Sequence, residues 1–255
     1  MVAQDAKPDA PLAGRIALVT GGSRGLGREM VLAFADAGAD VVVASRKFEN
    51  CMEVAAEVEA KGRRALPIAC HVGHWDEMDG LVEQAYDTFG HVDVLVNNAG
   101  MSPLYPDLPS VTEELWDKVL GVNLKGPFRL TALVGTRMVE GGRGGSIINV
   151  SSTGSIRAAP HMLPYDAAKA GLNTLTEGFA KAFGPTVRVN CIMAGPFLTD
   201  ISKAWDPAVL ERGMPHAALR RAGQPEEVVG AALYFATDAS SFTSGAVLRV
   251  DGGLP

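Results

Sequence analysis

Cysteine is scarce. The 255 residues hold three, Cys51, Cys70 and Cys191, odd in number and far apart, which excludes a disulfide framework. They read as buried small hydrophobes in a reducing cytoplasm. No HExxH occurs among the five histidines. His71 and His74 stand three apart, yet no second group of ligand types completes a metal site, so a solvent-exposed pair and no metal are expected. Positive charge is not in excess either: 23 basic against 29 acidic residues leave a net −6, which argues against nucleic acid or an anionic membrane as partner. No run of eighteen apolar residues suggests a membrane span. The opening MVAQDAKPDAPLAG lacks a basic region followed by an apolar core, so residues 1–13 read as a disordered tail and not a secretory signal.

What is present is apolar. At 47% hydrophobic and 20% charged, the chain can bury a sizeable core. No linker, composition shift or repeat divides it, so residues 14–255 read as one catalytic domain. Short apolar runs at 15–20, 41–45, 65–69, 92–96, 147–150, 187–192 and 246–250 alternate with helical periodicity. That rhythm predicts an α/β fold, a doubly wound Rossmann-type parallel sheet of about seven strands covered on both faces by helices.

The first run leads straight into Gly21-Gly22-Ser23-Arg24-Gly25-Leu26-Gly27, and helical periodicity follows. Strand, glycine loop and helix are the context of a dinucleotide site: the glycines let the backbone approach a pyrophosphate, and the first helical amides donate to it. A plain strand–helix turn is the bland alternative. The second run ends in Ser45-Arg46-Lys47, where an acid would bind the ribose 2′-hydroxyl of NAD. With Arg24 as a second cation, the pattern favours a 2′-phosphate, hence NADP(H), over a merely basic surface turn. Asp40 comes too early to be the ribose acid.

Tyr165 and Lys169 lie four apart in a predicted helix over 165–183, which stacks them on one face. Moving a phenol from pKa ~10 to ~7 needs roughly 4 kcal/mol. An ammonium about 5 Å away at an effective dielectric near 20 supplies about 3. Upstream, the run over 147–150 delivers Ser151-Ser152 to the carboxyl edge of the sheet, where ligands of such folds bind. Taken alone, Tyr-x3-Lys is also an ordinary helix surface.

Ser152-x12-Tyr165-x3-Lys169, the Thr-Gly-x3-Gly-x-Gly loop and Asn97-Asn98-Ala99-Gly100, in that chain context, resemble the short-chain dehydrogenase/reductase family in its compact form. The resemblance spans residues 14–253. It implies hydride transfer between NADP(H) and a carbonyl or secondary alcohol. Ser152 would hold the substrate oxygen and Tyr165 would exchange its proton. Lys169 would lower the phenol pKa and hold the nicotinamide ribose, with Asn123 maintaining a proton relay. It further implies coenzyme contacts from Gly21, Ser23, Arg24, Gly25, Leu26, Gly27, Ser45, Arg46, Lys47, Asn98, Ala99, Gly100, Tyr165, Lys169, Gly195, Phe197 and Thr199.

Two departures stand out. His71-Val72 occupies the place of the family's adenine-binding Asp-Val, and Ala194 replaces a proline, implying a looser loop before Gly195. Pro127 cannot donate to the carbonyl of Asn123, so either a plain kink or a water site feeding the relay is expected. Residues 201–222, with Trp205, Met214 and His216, read as a mobile lid within a substrate-covering segment of about 197–222. Ile156, Met162, Leu163, Phe197, Leu198 and Trp205 are candidate pocket walls, with Arg157 and His161 as polar handles.

The resemblance reaches 3-oxoacyl-[acyl-carrier-protein] reductases and gluconate or other polyol dehydrogenases, including NAD-dependent ones. It implies a small-molecule substrate and a homotetramer paired through the helices at 112–139 and 164–183 and through the last helix and strand. A catalytically silent nucleotide-binding scaffold or sensor is the alternative from another class. A sugar epimerase of the extended form is disfavoured, since 86 residues (255 − 169) follow Lys169.

Overall fold

The computed structural model describes residues 10–200, 202 and 214–255. Its elements follow the expected alternation: β1 (Ile16–Thr20), α1 (Gly25–Asp36), β2 (Asp40–Ser45), α2 (Phe48–Ala60), β3 (Ala65–Ala69), α3 (Trp75–Phe89), β4 (Val94–Asn97), α4 (Glu113–Leu120), α5 (Gly126–Glu140), β5 (Gly145–Ser152), α6 (Leu163–Phe183), β6 (Val187–Ala194), α7 (Val229–Ala236) and β7 (Val247–Val250). The strands form one seven-stranded parallel sheet in the order β3-β2-β1-β4-β5-β6-β7. The order reverses between β1 and β4, which opens a crevice at the carboxyl edge.

Strand alternation feeds two cores. Ala17, Val19, Val41, Val43, Ile148 and Ile192 face α1, α2 and α7, packing on Met30, Phe34, Val54 and Phe235. Leu18, Val42, Leu95, Ile147 and Val189 face the other layer, against Met78, Leu81, Leu130 and Val134. Strands buried on both faces carry apolar residues at consecutive positions, which is why these runs are continuous.

Of the expected tail, residues 1–9 lie outside the described residues. Residues 10–13 do not behave as a loose tail. Leu12 is 1% exposed in the first core, and its N–H donates to Ala37 at 2.8 Å.

The expected kink near Pro127 takes a specific form. Between α4 and α5, Gly121–Lys125 winds as a π-helix, and the Gly126 N–H bonds back to Gly121. Its extra residue per turn rotates Asn123 to a fully buried position. Thr112 caps α4, its hydroxyl accepting the Leu115 N–H at 3.1 Å. Ala194 does not loosen its loop. It is the last residue of β6, paired with both Ser152 and Val250, because alanine can join a ladder that proline would interrupt. Asp40 opens β2 at the far edge of the sheet, salt-bridged to Arg63 and Arg64, away from the crevice.

Candidate active site

A cleft of about 710 Å³ lies at the carboxyl edge of the sheet. It is walled by every residue expected at the site except Gly27, Lys47 and Asn123. Gly27 is buried behind the glycine loop, where a Cβ would collide with the Gly21 carbonyl. Lys47 is the exposed N-cap of α2.

The loop between β1 and α1 fits a dinucleotide. Gly21 and Gly25 adopt φ of 64° and 52°, which favour glycine. Arg24 gives α1 no side-chain cap, so the first amides of this twelve-residue helix remain donors for a phosphate. Asn98 ties the neighbouring loop down: its Nδ2 donates to Thr20 O at 3.0 Å and Gly21 O at 3.2 Å, while Thr20 Oγ1 accepts the N–H groups of Asn98 and Ala99. At the end of β2, Ser45 Oγ accepts from Ser23 Oγ at 2.9 Å, and Arg46 joins Arg24 on the cleft wall. Neither guanidinium has an acidic partner among the described residues.

His71 and His74 do pair and His74 is exposed as expected, but His71 is not. Their rings stack at 4.2 Å, and His71 is half-buried on the cleft wall. Across the cleft, Thr199 packs against the Gly25 loop, at 3.4 Å from the point a Cβ there would reach. Gly195 is set by close approach: a Cβ would sit 2.6 Å from Asp251. Phe197 is 5% exposed, and its backbone pairs with Gly223.

The chemistry gathers where β5 meets α6. Ser152 ends the strand; its hydroxyl accepts the Gly154 N–H at 3.2 Å and shares the cleft wall with the phenol of Tyr165. Lys169, 3% exposed, places Nζ 5.7 Å from the Tyr165 ring centroid and donates to Val150 O at 2.7 Å. Ser151 Oγ donates to the Lys169 carbonyl at 3.1 Å, a second tie between strand and helix. Asn123 stands behind. Its amide donates to Met101 O and Val119 O, and its oxygen accepts the Met101 N–H at 3.3 Å, which braces the loop after β4.

The electrostatics correct one expectation. Burial raises the Tyr165 pKa, the Ser152 hydroxyl opposes the rise, and the nearby Asp166 charge adds to it. Burial also brings Lys169 down to about 8. The lysine charge therefore does not make the phenol acidic in the chain alone: desolvation dominates, and the ammonium is turned to Val150.

Sequence reasoning missed Tyr105. This buried residue of the loop after β4 donates its hydroxyl to Pro160 O at 2.9 Å and accepts the Leu163 N–H at 2.9 Å, clamping the start of α6 to the cleft wall. A lone aromatic in a proline-rich loop carried no signal of this. Of the candidate substrate contacts, Met162, Phe197, Arg157 and His161 line the cleft, whereas Ile156, Leu163 and Leu198 do not. Trp205 and most of the expected lid lie outside the described residues.

Residues 21–255 match a family model described as enoyl-(acyl carrier protein) reductase. The chain is 36% identical over 248 residues to dehydrogenase/reductase SDR family member 4 of Pongo abelii, covering 96% of this chain and 89% of that one. It is similar, at 36% identity over 244 residues, to a 3-oxoacyl-[acyl-carrier-protein] reductase of Thermotoga maritima, covering 95% and 98%. A solved 7α-hydroxysteroid dehydrogenase, complexed with NADH and 7-oxo glycochenodeoxycholic acid, superposes with a TM-score of 0.91 at 30% identity, covering 98% of each chain.

Proposed function

The chain belongs to the short-chain dehydrogenase/reductase family, and on that premise we propose that it moves a hydride between NADP(H) and a carbonyl or secondary alcohol carbon of a small molecule. The observation that carries this reading is the Ser152–Tyr165 hydroxyl pair beside the buried ammonium of Lys169, inside the cleft. The coenzyme, when bound, supplies or accepts the hydride. Ser152 holds the substrate oxygen. Tyr165 gives it a proton in reduction and takes one in oxidation. A protonated phenol is the donor that ketone reduction needs, and burial, which raises the Tyr165 pKa, favours that form. Lys169, anchored on Val150, holds the ribose, and Asn123 keeps the loop at Met101 in place.

Arg24 and Arg46 support the choice of NADP(H), since both face the cleft where a 2′-phosphate would meet them. NADH in the solved relative favours a second reading, an NAD-dependent alcohol or polyol dehydrogenase. A carbonyl panel run with NADPH and NADH side by side separates the two, and faster turnover with NADH in every case would reject the first. Tyr165→Phe is expected to lower turnover about 10³-fold or more while NADPH still binds, read from nicotinamide fluorescence. An active variant would reject the assignment.

A homotetramer is part of this reading. Trp116 and Phe128 on α4 and α5, and Tyr234, Phe242, Val247 and Leu248 around α7 and β7, are exposed large apolar side chains on the two surfaces that would pair. Sedimentation velocity tests it. No helix among the described residues is long and apolar enough to cross a membrane. The three cysteines are buried and unpaired, in keeping with a cytoplasmic site.

A further inference from the structure

Past β3 the chain turns through Cys70-His71-Val72-Gly73-His74 into α3. His71 lines the cleft beside the end of β2, on the side away from β5. In a doubly wound sheet the pyrophosphate lies at the first glycine loop, and the 2′-hydroxyl or phosphate lies at the end of the second strand. The purine beyond that ribose therefore comes against the end of β3, at His71.

Three contacts hold His71, two of them through its ring. Its own backbone N–H donates to Glu77 Oε2 at 2.7 Å. The ring stacks on His74 with 14° between planes, and His74 Nδ1 is itself 2.6 Å from Glu77 Oε1. Most telling, Nδ1 of His71 accepts the Gly73 N–H at 3.1 Å. A neutral imidazole has one donor and one acceptor, so this bond assigns the proton to Nε2. Burial, followed by the charges of His74 and Arg46, holds the ring below its ordinary pKa and so neutral at pH 7. No protein group accepts from Nε2 among the described residues. The polar atom left free on the His71 ring, in the wall of the cleft, is one N–H and no acceptor.

We propose that His71 makes this chain tolerant of a coenzyme whose purine carries oxygen in place of the 6-amino group. Adenine offers donors at that position, which an N–H cannot receive. Hypoxanthine offers an oxygen, which it can. A carboxylate at the same place would impose the reverse preference. The inference rests on the dinucleotide reading above, and binding without substrate separates the two.

The experiment titrates the full chain with NADPH and with its 6-oxo (deamino) analogue, following nicotinamide fluorescence with no substrate present. The expected dissociation constants differ by less than about 3-fold in the parent, and His71→Asp opens the gap to about 10-fold or more by weakening the deamino form. If His71→Asp does not fold, His71→Leu removes the donor together with the Gly73 bond and the His74 stack, and is expected to widen the parent's ratio about 3-fold. A parent ratio of tenfold or more against the deamino coenzyme, or a ratio unmoved in the folded variant, overturns the proposal. Failure of both coenzymes to bind overturns the dinucleotide reading, and this inference with it.

Discussion

Lys169 Nζ donates to the carbonyl oxygen of Val150 at 2.7 Å, so the cation one helical turn from Tyr165 is fastened to the strand that delivers Ser152. The bond fixes α6 on β5 but does not offset burial, since the lysine pKa stands at about 8. Keeping that ammonium charged at pH 7 costs on the order of 3 kcal/mol. The sign follows: between about 8 and 10.5 the unfolded chain binds the proton that the folded chain has released, so stability rises with pH across that window. Lys169→Met is expected to raise stability at pH 7 by about 1–3 kcal/mol, flatten the rise, and lower turnover at least about 100-fold. Urea unfolding at pH 7 and at pH ~9.5 reads the first two effects. A destabilised variant would refute this account of the buried charge.

Asp166 carries the second prediction. It is 2% exposed; Oδ2 accepts the Ala159 N–H at 2.7 Å, and Oδ1 has no hydrogen-bond partner among the described residues and abuts Gly154. Burial raises its pKa, with the Ala159 N–H and then His161 working the other way. For an acid whose folded pKa is raised, stability falls as pH climbs from 3.8 through the folded value. Asp166→Asn keeps an acceptor for Ala159 and is expected to remove that fall, gaining about 1 kcal/mol at neutral pH. The same charge raises the Tyr165 pKa. Its loss should therefore move the alkaline limb of the reductive kcat profile to lower pH, whereas a purely structural role would leave the limb in place.

The fold was legible because parallel strands covered on both faces must be apolar at consecutive positions, and runs such as 41–45 and 147–150 stand out from the helical periodicity around them. The site was legible where one residue type does one thing. Glycines at 21, 25 and 27 have little other use at that spacing, and Tyr165 and Lys169 share a face whatever surrounds them. What the sequence hid depends on burial and backbone atoms. Nothing in it says that the Lys169 partner is a carbonyl, or that desolvation outweighs the lysine charge at Tyr165. Nor does Pro127 announce a π-turn, because a missing donor permits several rearrangements and Asn123's bonds to Met101 and Val119 select one.

That selection is testable. Pro127→Ala restores a donor one turn after Asn123 and lets an α-turn compete with the π-turn over Gly121–Lys125. If the Asn123 carbonyl serves a proton relay, the variant should lower kcat several-fold and change the solvent isotope effect, with KM for the coenzyme unmoved. An unchanged isotope effect leaves Pro127 as a kink and nothing more.

Beneath the site lies a polar ladder whose coupling can be measured. Asn97 Nδ2 donates to Asn149 Oδ1 and to Thr131 Oγ1, each at 2.9 Å, and Asn149 Nδ2 donates to Thr176 Oγ1 at 2.9 Å, which joins β4, β5 and α6 through the core. All four residues are at most 2% exposed. Asn149→Ala removes two bonds and leaves a cavity, so a loss of about 2–4 kcal/mol is expected. Asn97→Ala breaks the shared bond from the other side and leaves Asn149 Oδ1 without its donor. Because each single change strands the same contact, the double variant should cost less than the sum of the two by about 1 kcal/mol or more in urea unfolding. Additive losses would mean that the strands and helix hold their spacing without the ladder, and that Lys169 on Val150 is the tie that seats α6.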